Sequence, residues 1–218
     1  MTVADELADL PYADLLRRHE GPLAVEGDYD TVHFGRLSFE DADRARGARF
    51  LESAVTDCVF GGTDLRRARF NDVWVEGSRF TGVSLVESDW LDSALTGCSL
   101  AGVEAFGSVL RRVVLRRCKL DSVNLRSAAL HDVVFEDCVL REVDLGGARL
   151  DGVGFPGSRL EQVRLAGATL TKADLRGAVG IDLADGHDSL RGAVIGSAQL
   201  LDLAPALAQT LGITVKDR

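Results

Sequence analysis

The sequence is short of what usually fills a compact core or a catalytic cleft. Aromatic residues make up 6%, Met occurs once, and Gly occurs 23 times. The four Cys stand in no paired spacing, which excludes a disulfide framework, and no CxxC or Cys/His pair suggests zinc. No stretch of about 18 apolar residues occurs, so no membrane span is expected. Met1 to Leu10 carries Asp5, Glu6 and Asp9 where a leader needs positive charge and then an apolar run, so the expected location is cytoplasmic. Positive charge is also scarce. Lys and Arg number 25 against 34 Asp and Glu, a net of −9, which argues against direct binding of nucleic acid by phosphate neutralisation.

What is present is a foldable chain, 46% apolar and 27% charged. The acid is unevenly placed. Residues 1–33 hold eight acids and two Arg, whereas residues 46–178 hold 18 acids and 18 bases. Within that neutral stretch, 71–110 runs six acids to one base and 111–126 one acid to six bases.

The dominant signal is an internal repeat. From Phe50 to Leu175 every fifth residue is apolar, at all 26 positions. Two residues before each stands Ala, Ser, Thr, Cys or Val, again without exception, from Ala48 and Ser53 to Ala173. A helix needs period 3.6 and a flat strand period 2, so neither explains period 5. Along an extended segment these two columns share one side and point inward. The chain then turns a corner, where Gly62, Gly77, Gly82 and Gly97 supply positive φ. Val recurs in the small column with period ten from Val103 to Val163. In a three-sided coil that Val would wander from side to side; with four sides it stays on two opposite faces. Twenty residues per turn also stacks Phe50, Phe70 and Trp90. Residues 28–178 then form roughly 7.5 turns and a rod about 36 Å long at strand spacing. Tyr29, Phe34 and Phe39 repeat in another phase, which predicts one inserted residue before Phe50.

Ala173-Asp174-Leu175-Arg176-Gly177, Val143-Asp144-Leu145 and Thr63-Asp64-Leu65 resemble the repeats of the pentapeptide repeat proteins, and the pattern covers about 150 of 218 residues. The resemblance implies an all-β, right-handed quadrilateral β-helix with short helical N- and C-terminal caps. The corresponding divisions are a helical cap over 1–27, the coil over 28–178, and a loop, capping helix and short strand over 179–218. It implies a non-enzymatic interaction surface with no catalytic residue, cofactor or metal. The best-understood members are quinolone-resistance and gyrase-inhibiting proteins, dimers that imitate duplex DNA on a type II topoisomerase. By resemblance the partner is therefore another protein, DNA gyrase, in a setting of antibiotic resistance; the alternative is a scaffold or adaptor for a different protein.

Candidate partner-binding residues follow from the outward columns. Ala54, Trp74, Ala94, Val114 and Val134 predict an exposed apolar ladder. Asp64, Ser84, Glu104, Asn124 and Asp144 form the nearest approach to a phosphate-like row, and Glu87, Asp89 and Asp92 belong to the acidic strip. A duplex 36 Å long carries about 21 charges, so a neutral coil can imitate DNA only locally. Arg111, Arg112, Arg116, Arg117, Lys119 and Arg126 form a basic belt. Phe106, beside an inward Ala105, either fills the core or stands exposed. Residues 179–189 are expected to leave the register as a loop. From Ser197, read as an N-cap, a helix ends near Gly212, with Pro205 kinking it or starting a second segment. Its stripe of Leu200, Leu203, Leu207 and Leu211 suits a lid on the last coil, a homodimer seam, or both. Residues 4–20 suit a cover for the first coil. Cys58, Cys98, Cys118 and Cys138 read as buried fillers. Gly152 to Gly157 matches GxGxxG but lies in pentad phase, without the strand-turn-helix context that nucleotide binding requires.

Overall fold

In the computed structural model, which describes residues 4, 6–40 and 44–216, the pentads become the sides of a square coil of parallel strands. Val75 lies opposite Val55 and Leu95 on the first side, Phe80 opposite Phe60 and Leu100 on the second, and Phe70 opposite Phe50 and Trp90 on the third. Each displacement is twenty residues, so four pentads close one turn. Among the described residues the fourth side carries single bridges, running Arg44, Asp64, Ser84, Glu104, Asn124, Asp144, Arg164, until Val163 and Arg164 pair with Leu183 and Asp185 in the last turn. In the first turn Tyr29 faces Phe50 and Phe34 faces Val55, one residue more than the repeat, as the phase change predicts.

The two inward columns from Ala48 to Leu175 are buried except at Leu110, which is half-buried. Aromatic side chains stack from turn to turn: Phe50 on Phe70 at 4.9 Å, Phe70 on Trp90 at 3.8 Å, Phe60 on Phe80 at 4.7 Å and Phe135 on Phe155 at 5.2 Å. The composition of the small column has a chemical reason. Ser108 Oγ donates to the Leu85 carbonyl at 2.8 Å and Ser158 Oγ to the Phe135 carbonyl at 2.7 Å, while Ser93 Oγ accepts the Val73 N–H at 3.1 Å. A short hydroxyl therefore fills space and satisfies backbone groups that the corner would leave unpaired. The four Cys occupy the same column, all buried, and burial pushes the Cys58 thiol above its usual value. At the corners the chain takes positive φ, 59° at Gly77 and 61° at Gly82, and Asp, Glu, Arg and Ser adopt it where Gly is absent.

Four expectations for the C-terminal part are corrected. Residues 179–189 are not a loop: Gly180–Asp185 is a strand laid on Arg159–Arg164, followed by the 3-10 turn His187–Leu190 and by Ala193–Val194 on Ala173–Asp174. One extra residue puts Ile181 opposite Leu160, which hides the periodicity while preserving the winding. The helix α1, Ser197–Thr210, is continuous and has Gly196, not Ser197, at its N-cap. Pro205 lies within it on an exposed position, where the bond its missing N–H would make reaches only the exposed Leu201. Ile213 to Val215 form no strand.

Among the described residues the inward columns pack closely on one another. A void of about 50 Å³ lies among Phe80, Trp90, Ala105, Leu110 and Phe135, well below the roughly 300 Å³ at which small-molecule pockets begin. It sits beside Ala105, the one Ala among the centres. Phe106 does not fill it: its ring is 42% exposed.

Candidate interaction surfaces

The apolar ladder of the first side is not bare. The N-terminal residues form a strap, with 3-10 turns at Leu7–Asp9 and Ala13–Leu15, that lies over it. Leu10 and Tyr12 bury themselves against Ala54, Trp74 and Ala94, and Leu7, Leu16 and Val114 pack at the margin. Trp74 is left 2% exposed. Its Nε1 donates to the Ala4 carbonyl at 3.2 Å, and the Tyr12 hydroxyl donates to the Asp72 carbonyl at 2.6 Å. Thus the expected free ladder is corrected for Trp74, because two apolar surfaces of one chain cover each other. Val134 remains half-buried beyond the strap. Cover for the first coil comes from the next residues, where His19 sets its ring 4.6 Å from Phe34 and Leu23 joins the core. Neither role has a periodic signature in the sequence.

The acidic candidates do not gather on one face, and most are already engaged. Asp64 meets Arg66 at 2.7 Å, Glu87 meets Arg67 at 2.7 Å, Asp89 meets Arg111 at 3.5 Å and Asp92 meets Arg112 at 2.6 Å. Hydrogen bonds from Arg66 and Arg112 hold the Asp64 and Asp92 carboxyls below the usual range. Glu104 accepts from Asn124 at 2.6 Å, and Asp144 accepts the Gly146 N–H at 2.8 Å, holding its own turn. The basic belt spans most of one twenty-residue turn, so Arg117, Lys119 and Arg126 are spread round the rod. Arg116 pairs with Glu136 at 2.8 Å.

The far end of the rod carries helix α1. Gln199 ties it down, donating to the carbonyls of Leu175 at 2.7 Å and Ala178 at 3.0 Å, while Leu203 is buried and Leu207 half-buried. The rest of that stripe, Leu200 and Leu211, faces out, and so does Leu201 outside it. Leu200 is 50% exposed, Leu201 75% and Leu211 73%, continued by Ile213 and Val215. No helix among the described residues is long and apolar enough to cross a membrane.

Comparison with known proteins finds pentapeptide repeats in eight copies, matched over residues 46–82, 118–155 and 144–179. None of the curated proteins compared matches the chain. Similar solved structures include QnrB1, described as a plasmid-mediated fluoroquinolone resistance protein. One form of it is 16% identical, covers 92% of this chain and 96% of its own, and has a TM-score of 0.42. Another is 18% identical over 88% and 100% of the two chains, with a TM-score of 0.38. HetL, a pentapeptide repeat protein involved in heterocyst differentiation regulation from the cyanobacterium Nostoc, is 17% identical over 81% of this chain and 93% of its own, with a TM-score of 0.26. The repeats matched in the sequence and the twenty-residue register of the coil make this chain a member of the pentapeptide repeat family.

Proposed function

We propose that the protein is a non-enzymatic interaction rod, working in the cytoplasm as a homodimer joined through helix α1 and binding another protein with its coil faces. The observation that carries this reading is the exposed row of Leu200, Leu201, Leu211, Ile213 and Val215 at one end of the rod. Contiguous apolar surface of that kind marks an interface, and two-fold pairing of identical ends is its simplest use. The family resemblance proposes a type II topoisomerase, DNA gyrase, as the partner. The ion pairs along Asp64, Glu87, Asp89 and Asp92 weigh against imitation of DNA by charge over the whole rod. They leave Glu104 and Asp144 on the fourth side, with the exposed Phe106 nearby, as the contact region to test. Supercoiling assays with gyrase, with and without a quinolone, measure the partner: inhibition or rescue supports it. No effect at large molar excess, with protein shown folded by circular dichroism, leaves the scaffold for a different partner. Light scattering at micromolar concentration measures the assembly, and a monomer there overturns the dimer.

A further inference from the structure

At the strap's end lies a basin of about 260 Å³, lined by Arg18, His33, Gly35, Arg36, Thr56 and Asp57. Three elements build it. Arg18 comes from the strap's last strand, Arg17–Arg18, and lies in register opposite His33 on the first side of the coil. Arg36 turns the following corner with φ of 54°. Among the described residues neither Arg18 nor Arg36 has an ion-pair partner, whereas many other arginines of the coil do. The His33 ring lines the basin with these two cations, and its Nε2 lies 2.8 Å from Thr56 Oγ1. Gly35 makes room for that ring, since a Cβ there would stand 3.1 Å from His33 Cε1 and 3.2 Å from Nε2.

Charge and size define the occupant. Arg18, Arg36 and His33 share the lining of the basin with one carboxylate, Asp57. That carboxylate leans over the neighbouring corner: its Oδ1 lies 2.6 Å from where a Cβ on Gly77 would be. Burial first, and then Arg18 and Arg36, hold His33 below its usual value. The volume is too small for a drug-sized molecule but ample for a tetrahedral anion. Guanidinium forks match oxyanion geometry through paired, charge-assisted hydrogen bonds. We infer that this basin binds a small oxyanion of the phosphate type, bridging Arg18 of the strap to Arg36 of the coil. Because one arm belongs to each element, the bound anion fastens the strap over Trp74.

The test uses the full chain and inorganic phosphate, titrated against chloride at matched ionic strength. The His33 ring resonances should shift saturably, with an affinity on the order of millimolar, and the Leu7–Leu16 amides should exchange more slowly. Arg18→Ser and Arg36→Ser should each weaken the shift at least several-fold, and Asp57→Asn should strengthen it, with coil circular dichroism unchanged in all three. A His33 response to chloride equal to that with phosphate, a response retained in both Arg variants, or saturation without slower strap exchange would each overturn the inference.

Discussion

At the scale of single residues the coil is governed by columns, and a column can be wrong at one position without breaking the wall. Leu65, Leu85, Leu125, Leu145 and Leu165 lie above one another on the fourth side, and Ala105 interrupts them. The void of about 50 Å³ is what that interruption leaves. At about 24 cal/mol per Å³ of cavity, refilling it is worth roughly 1 kcal/mol. Ala105→Leu restores the column in a site whose neighbours above and below already hold Leu, so a gain of about 1 kcal/mol is expected in chemical denaturation. A loss would mean that the corner carrying Phe106 cannot accommodate the larger centre. The pentad period reveals which residues point inward, and so reveals the four walls and the burial of the Cys and Ser. It does not reveal Phe106, because register assigns a direction to each position and says nothing of whether the volume inside is filled.

The element with most consequence is the strap. In the sequence, residues 4–20 read as a cover for the first coil and Trp74 as part of a free outward ladder. What was not legible is that they are each other's partners, since nothing periodic connects residues about seventy positions apart. Truncating a fully packed Trp in a core costs about 3–5 kcal/mol. Here the strap can lift away while the coil stays wound, and local opening limits the loss to the docking energy of the strap. Trp74→Ala is therefore expected to leave the melting of the coil nearly unchanged and to strip hydrogen-exchange protection from Leu7–Leu16; a full loss of coil stability would show that the strap is integral to the fold. Asp72 provides a second probe. Desolvation, with Asp92 and Glu52 beside it, raises its carboxyl above the ordinary value. The folded state thus holds this proton more firmly than the unfolded one, so ionisation of Asp72 opposes folding as pH rises through the carboxylate range. Asp72→Asn should stabilise at neutral pH by less than about 1 kcal/mol, because the group is exposed to solvent. Its advantage should fade as the pH falls far enough to protonate Asp72 in the wild type, which pH-dependent melts would show.

For the whole molecule, stability and assembly come apart. Each turn of a solenoid touches only its neighbours, so the rod is held by a chain of similar interfaces and is weakest where a turn has no neighbour. One end is closed by His19 and Leu23, the other by Gln199 and Leu203. The closing contacts of helix α1 use only one side of it, and the leucines of the other side remain in water. Fully burying one such side chain is worth about 1.5–3 kcal/mol, so the row from Leu200 to Val215, doubled by a second copy, can offset the entropy of association. The two sides of the helix then predict opposite outcomes. Leu201→Gln with Leu211→Gln should convert a dimer to a monomer in light scattering while the coil's circular dichroism and melting stay as they were. Leu203→Ala should do the reverse at first, loosening the helix from the last turn and lowering the melting temperature. Should the Gln pair leave the mass unchanged, whether as dimer or monomer, the exposed row is not the seam.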